Sequence, residues 1–235
     1  FLFHSALSPI LNLGLITPAE LLSRVKKYQN KIKINSYEGF IRQVIGWREF
    51  IRGVYQKYES EFTNNNYFHN NRKMKQSWYE GKTGIFPLDD AITKARKFGW
   101  NHHIERLMVI ANIMNIARIN PKEVYKWFME FYVDSYDWVM VPNVFGMGLY
   151  SDGGVFATKP YICASSYILK MSDYKKGEWT DIVDGLYWKF IDENREKLRV
   201  NPRIGIMTKM IDTMDKNRKN KIYLAANKFI EEHTI

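Results

Sequence analysis

Only one of the 235 residues, Cys163, is a cysteine. No intramolecular disulfide can form, and no cage of cysteine ligands for zinc or an iron–sulfur cluster can be assembled. Such usage fits a reducing compartment, and a cytoplasmic location is expected. Long apolar runs are also missing. No stretch approaches the roughly 20 residues needed to cross a bilayer, and nothing resembles a secretory leader, so no membrane partner is expected. Alternating apolar and polar residues do not recur, and no internal repeat or low-complexity tract is present, which speaks against a β architecture or a repeat array. An initiator methionine is absent as well: the chain opens FLFHS, in what reads as a helix entry, and is expected to be a fragment of a longer protein.

The residues that are present are apolar, aromatic and basic. Hydrophobic residues make up 46% and aromatics 15%, enough for a folded globule with one sizeable core. The expected organisation is one all-α domain over residues 1–235, of about ten helices, and a monomer. The formal charge of +10 points to a polyanionic partner, of which nucleic acid is the commonest; a basic surface can also serve solubility alone.

The chain is organised around residues 99–148. Ile104, Leu107, Met108, Ala111 and Met114 recur at spacings of three and four, so one helical face is buried. His103, Arg106 and Ile110 share a neighbouring face. An arginine among so many apolar residues requires an acidic partner or ligand, and Asp134 or Asp137 can supply it from the end of the next helix. Asn120, Pro121 and Glu123 form a start signal for that helix. Adjacent helical residues diverge by about 100°, so His102 and His103 are a poor metal pair. His103 beside Arg106 instead suits a polar ligand pocket in which imidazole can give a proton; a hydrogen-bonded core histidine is the plain alternative.

Elsewhere, Thr17 and Pro18 open a helix to about Tyr28. A longer helix from Ser36 carries an apolar stripe of Phe40, Val44, Trp47, Ile51 and Tyr55, with Gln43 beside it and Arg42, Arg48 and Arg52 off it. Residues 60–76, with five asparagines, read as a surface loop. Asp89 or Asp90 begins a helix to about Phe98. Residues 142–160, with four glycines, read as a long loop that is not a dinucleotide fingerprint. Residues 161–171 read as a short helix, Thr180 as the cap of the next, Asn201-Pro202 as the opening of another, and KIYLAANKFI as the last.

Several long motifs together resemble the flavin-binding catalytic domain of the photolyase/cryptochrome superfamily. They are FHSALSPILNLGLITPAEL, GWREFIRGVYQKY, HHIERLMVIANI, KWFMEFYVDSYDWVMVPNVFGMGLYSDGG and TKPYICASSYILKMSDY. The branch resembled most is that of the deoxyribodipyrimidine photolyase-related proteins, with bacterial cryptochromes and (6-4) photolyases. The likeness runs over residues 2–203. It implies a helical FAD-binding fold and FAD as cofactor, held by His4, Ser5, Leu7, Ser8, Gln43, Trp100, His103, Arg106 and Asp134, with Arg106 and Asp134 as an ion pair beneath the flavin. Trp127 resembles the proximal electron donor; Tyr79, where the branch has tryptophan, and Tyr167 are further electron-transfer candidates. His103 is implied as proton donor with His102 as its neighbour. Trp47, Arg48, Tyr150 and Lys159, with Lys170, are the implied DNA-facing residues, and UV-damaged DNA is the implied partner. Met140 stands where many members place a polar residue against the flavin ring. The branch's cluster cysteines would fall near Pro87, Lys175, Glu178 and Asp181, so no iron–sulfur cluster is expected. An α/β antenna domain, expected upstream, is not in this chain. The implied function is light-driven repair of a flipped pyrimidine lesion. A cryptochrome-like photoreceptor without repair and a flavin-free helical nucleic-acid-binding module are the alternatives.

Overall fold

The computed structural model describes residues 4–235; Phe3, the first residue of the FHSALSP motif, lies outside the described residues together with the two before it. The described chain is helical, and its only extended pairings are two isolated bridges, Arg72 with Ile119 and Met74 with Thr234. The α-helical segments are α1 (Ser8–Asn12), α2 (Pro18–Lys26), α3 (Ile34–Arg42), α4 (Arg48–Asn64), α5 (Ser77–Glu80), α6 (Phe86–Phe98), α7 (Asn112–Ile116), α8 (Pro121–Phe131), α9 (Asp137–Val141), α10 (Ser165–Lys170), α11 (Glu178–Glu193), α12 (Arg195–Arg199), α13 (Gly205–Met210) and α14 (Lys216–His233). Among the described residues, none is long and apolar enough to cross a membrane. The all-α expectation holds, with more and shorter helices than the ten expected.

The start signals work as chemistry. Thr17 and Glu20 form a reciprocal capping box, with the Thr17 amide donating to Glu20 Oε2 at 2.8 Å and the Glu20 amide to Thr17 Oγ1 at 3.2 Å. Asn120 Oδ1 accepts the Lys122 amide at 2.9 Å, and Pro121 takes the first position of α8.

Three stretches depart from the α period. Gln43–Trp47, Glu105–Ala111 and Pro142–Gly148 are π-helical, each continuous with a neighbouring α-helix. The third replaces the first seven residues of the loop expected at 142–160, because Pro142 begins a helical turn instead of ending one. Other boundaries also move. Helix α4 runs on to Asn64 through part of the asparagine-rich stretch, since Phe62 is fully buried and holds that end down. Helix α6 starts at Phe86: Asp89 instead accepts the Thr83 and Gly84 amides at 2.8 and 2.9 Å and ties the preceding turn to the helix. Only residues 165–170 of the 161–171 stretch are helical. Thr180 lies inside α11, its hydroxyl donating to the Gly177 carbonyl. Asn201-Pro202 sit in a turn ahead of α13.

The core forms around α7, whose five residues are all buried, together with Trp78, Trp127, Leu186 and Phe190. Two of the five α7 residues are polar. Asn112 binds both the amide and the carbonyl of Cys163, at 3.0 and 3.2 Å, and Asn115 donates to the Leu149 carbonyl at 3.2 Å while accepting from Asn70 at 2.9 Å. These amides pin the irregular segment 149–163 to the central helix with little unmet polarity. Cys163, buried beside Met108, has its thiol pushed up to about 12 by desolvation, so it is inert at neutral pH.

Helices α11 and α14 pack closely because Gly185 faces the backbone of α14. A Cβ there would lie 1.9 Å from the Ile222 carbonyl oxygen. Gly185→Ala is therefore expected to destabilise by at least about 1–3 kcal/mol, as overpacking does. Calorimetry should show a melting temperature lower by roughly 2–4 °C per kcal/mol. An unchanged melting point would mean that the two helices do not approach so closely.

Candidate cofactor cavity

A cavity of about 710 Å³ opens between α1, α3, the three π-helical stretches and the α8–α9 turn. Each stretch contributes lining: Gln43, Val44 and Trp47 from the first, Arg106, Leu107 and Ala111 from the second, Asn143, Val144 and Gly148 from the third. A π turn widens the helix by one residue per turn, and such turns are frequent at functional sites.

The floor is built on Asp134, which is 4% exposed. Its Oδ1 and Oδ2 accept from Arg106 Nη1 and Nη2 at 2.9 and 3.1 Å, a two-pronged pair. Oδ2 also accepts from Ser8 Oγ at 2.6 Å, and the Asp134 carbonyl accepts from Asn12 Nδ2 at 2.7 Å. Arg106 Nε donates to the Asn101 carbonyl at 2.8 Å, and its guanidinium lies 3.9 Å from the Tyr132 ring centroid. Of the two acids open to Arg106 in the sequence, Asp134 is the partner; Asp137 accepts from Tyr125 Oη at 2.5 Å. Local backbone enforces the arrangement. Gly99 ends α6 with φ +60°, and its carbonyl accepts the Val133 amide at 3.0 Å. A Cβ on Gly99 would lie 2.6 Å from Val133 Cγ1. One left-handed glycine thus sets Trp100 at the cavity and Asp134 beneath it.

At one end His4, Ser5, Ser8 and Asn12 supply polar atoms; Trp47, Trp100, Phe128 and Trp138 form aromatic walls, and Met140 is buried between them. Trp100 Nε1 donates to Ser8 Oγ at 3.3 Å. Arg48 donates to Asn12 Oδ1 at 2.7 Å and lies 5.0 Å from the Trp138 ring centroid; burial lowers its pKa below the ordinary guanidinium value. His103 faces the cavity and is exposed to the solvent that fills it; its pKa is lowered by desolvation first and then by Arg106 and His102, a direction that favours neutral imidazole and that solvent in the open cavity weakens.

The residues named from sequence separate into groups. His4, Ser5, Leu7, Ser8, Gln43, Trp47, Arg48, Trp100, His103, Arg106 and Asp134 all line this one cavity. His102 and Tyr167 line a second cavity of about 410 Å³, with Glu105 and Lys94; the Glu105–Ala111 stretch is the wall between the two. His102 reaches the first only through its ring stack on His4, centroids 4.7 Å apart. Trp127 lies behind the Phe128 wall, 5.5 Å from it, and stacks on Phe131 at 4.0 Å; Phe131 is 6.0 Å from Tyr79. Tyr150 is buried against Tyr67 and Phe68, away from the lining, with φ +53°. Lys159 stands over Tyr161, and Lys170 is exposed on α10; neither lines the cavity. Sequence reasoning missed Asn12, which joins Arg48 to Asp134, and Asn101, whose only signal was its place between Trp100 and His102.

The FAD binding domain of DNA photolyase matches residues 40–174. The chain belongs to that family. It is 38% identical over 214 residues to a (6-4) photolyase of Agrobacterium fabrum, covering 86% of this chain and 42% of that protein. An uncharacterized protein of Acanthamoeba polyphaga mimivirus is 50% identical over 115 residues, covering 48% of this chain and 89% of the viral protein. A deoxyribodipyrimidine photo-lyase of Buchnera aphidicola is 27% identical over 140 residues, 55% of this chain and 29% of that protein. The chain thus spans about two fifths of the length of the Agrobacterium photolyase it matches.

Removing one member of the buried pair strands a charge. Asp134→Ala is expected to cost about 3–5 kcal/mol in urea unfolding, and the double change with Arg106→Leu less than the two single changes combined. Additive effects would show the pair to be uncoupled.

His103 gives a pH signature. With its folded pKa below the ordinary value of about 6.5, the unfolded chain binds the proton first. Stability is therefore fullest above that value and falls as the pH drops through the folded pKa. His103→Asn is expected to flatten this acid limb of the pH–stability curve, leaving slope from His102 and His233, which are lowered too.

Proposed function

We propose that this chain is the catalytic half of a light-driven DNA repair flavoprotein of photolyase type. The observation that carries the reading is the single cavity in which a two-pronged Arg106–Asp134 pair, a hydroxyl- and imidazole-bearing end and aromatic walls converge. The fit to FAD is chemical. The volume lies within the roughly 300–1,000 Å³ of ligand cavities, with aromatic walls for ring systems and the Ser5–Ser8 end for pyrophosphate oxygens. His4, Ser5, Leu7, Ser8, Gln43, Trp100, Arg106 and Asp134 would hold the cofactor. When bound, a reduced flavin supplies an electron donor that light excites.

The chain's own residues do the rest. Arg106 and Asp134 keep a fixed charge pattern under the cavity without reorganising. Trp47 and Met140 exclude water from one wall. Neutral His103, facing the cavity, can accept a proton from a bound lesion and return it as imidazolium; His102, the next residue, is held by the Glu105 amide, which donates to its Nδ1 at 3.3 Å. Trp127, with Tyr79 beyond it, is supported as a route for reducing equivalents by the ring contacts through Phe128 and Phe131. Tyr167, across the π-helical wall, does not share those contacts. The reading includes no iron–sulfur cluster. At the positions where the resembled branch has cysteines, Lys175 accepts Trp179 Nε1 with its carbonyl, Glu178 starts α11, and Asp181 pairs with Arg218 and Lys221.

Purified protein is expected to be yellow, to bleach on blue-light reduction, and to reverse a pyrimidine–pyrimidone photoproduct in DNA under illumination. Absorption spectra and chromatography of the DNA before and after light make the test. Bleaching without lesion reversal would leave a photoreceptor, and a colourless protein that still binds DNA would leave a flavin-free binding module.

A further inference from the structure

Five cations, Arg24, Lys26, Lys27, Lys31 and Lys33, fall in the ten residues from 24 to 33, which contain no acid. That segment alone carries five positive charges against a net +10 for the whole chain. All five are exposed, and among the described residues none makes an ion pair within 4 Å. Tyr28 and Ile32 stand between them, 54% and 42% exposed. The cations span the end of α2 and the turn into α3, neither of which buries a single residue. An unpaired cluster of this density is electrostatically unfavourable in isolation, and an interleaved aromatic is what a nucleic-acid contact uses.

Its position matters more than its charge. Lys33 caps α3, and Phe40, seven residues along that helix, lines the cavity. At about 1.5 Å per residue the basic turn starts about 10 Å from that wall. Duplex DNA carries one phosphate charge per roughly 1.7 Å of axis, so a duplex offering a base to the cavity has several phosphates within that span. We infer that the α2–α3 turn is a second DNA-contacting surface, gripping the phosphate backbone beside the cavity and reading no base. The inference rests on the DNA reading of the cavity and adds a contact that the cavity does not provide.

The test is the quadruple variant Lys26→Gln, Lys27→Gln, Lys31→Gln, Lys33→Gln, whose changes are all on exposed side chains, with melting checked against the parent. On an undamaged duplex of about 20 base pairs, the slope of log affinity against log salt should become shallower by at least about 2, given about 0.9 per phosphate contact. Affinity for the lesion dinucleotide alone, which has one internal phosphate and no flanking backbone to reach the turn, should stay unchanged. A smaller change in slope, or an equal loss on the dinucleotide, overturns the inference. So does a variant that loses binding to phosphatidylserine vesicles while keeping its DNA slope, which would make the turn a membrane-surface contact. Light-driven reversal by the parent is scored separately. Its absence with the slope change intact refutes the repair reading alone, and its presence with an unchanged slope refutes the second surface alone.

Discussion

A guanidinium buried among apolar side chains is tolerable only when its charge and all its donors are met, and Arg106 sets that requirement for the whole domain. Its side chain is 14% exposed, and its partner Asp134 is drawn from a turn 28 residues away. The same carboxylate accepts from Ser8, and its backbone carbonyl from Asn12, so segments from three parts of the chain are fixed at one point. Tyr132 covers the cation's face and the Asn101 carbonyl accepts its Nε–H. Low local dielectric strengthens such a network and makes any gap in it costly. The cavity stands on this floor, and its polar end and its aromatic walls are oriented relative to it.

Much of this was legible in the residues. The capping signals at Thr17 and Asn120 are local chemistry and were placed correctly; the need of Arg106 for an acid followed from its apolar neighbours, although the period could not choose between Asp134 and Asp137. What was hidden shares one cause. Periodicity assumes 3.6 residues per turn, and three lining stretches do not obey it. His102 and His103 looked like cavity neighbours, yet the wall they begin separates them. Tyr150 and Tyr167 carry no sequence mark of their burial environment, because aromatic identity says nothing about which of two cavities a ring will border. The run through Asn64 reads as loop from its composition, which does not show that Phe62 is buried.

Buried asparagines show the other side of this. Asn112 and Asn115 interrupt an apolar face and would count against a core helix, but each binds backbone of the segment at 149–163. They spend no charge and fix an irregular stretch that has no helix of its own to hold it. That stretch includes Phe156, which packs on Trp47 at the cavity's edge, centroids 6.1 Å apart. Core polarity therefore reaches the site through packing, two contacts removed.

The three π-helical turns make chain length itself a determinant of the cavity. Each accommodates one residue more per turn than an α-helix would, and each residue of an α-helix turns the chain by about 100°. Deleting one residue from Gln43–Trp47 would let α3 and α4 join as a regular helix, with no loss of backbone hydrogen bonds and no polar group buried. Because the π turn takes up its extra residue within one turn, α3 and α4 would keep their phase, with Ile51 in the core and Phe40 at the lining. What would close is the widened turn that carries Val44 and Trp47 to the cavity, so the extra residue serves the wall of the site and not the core.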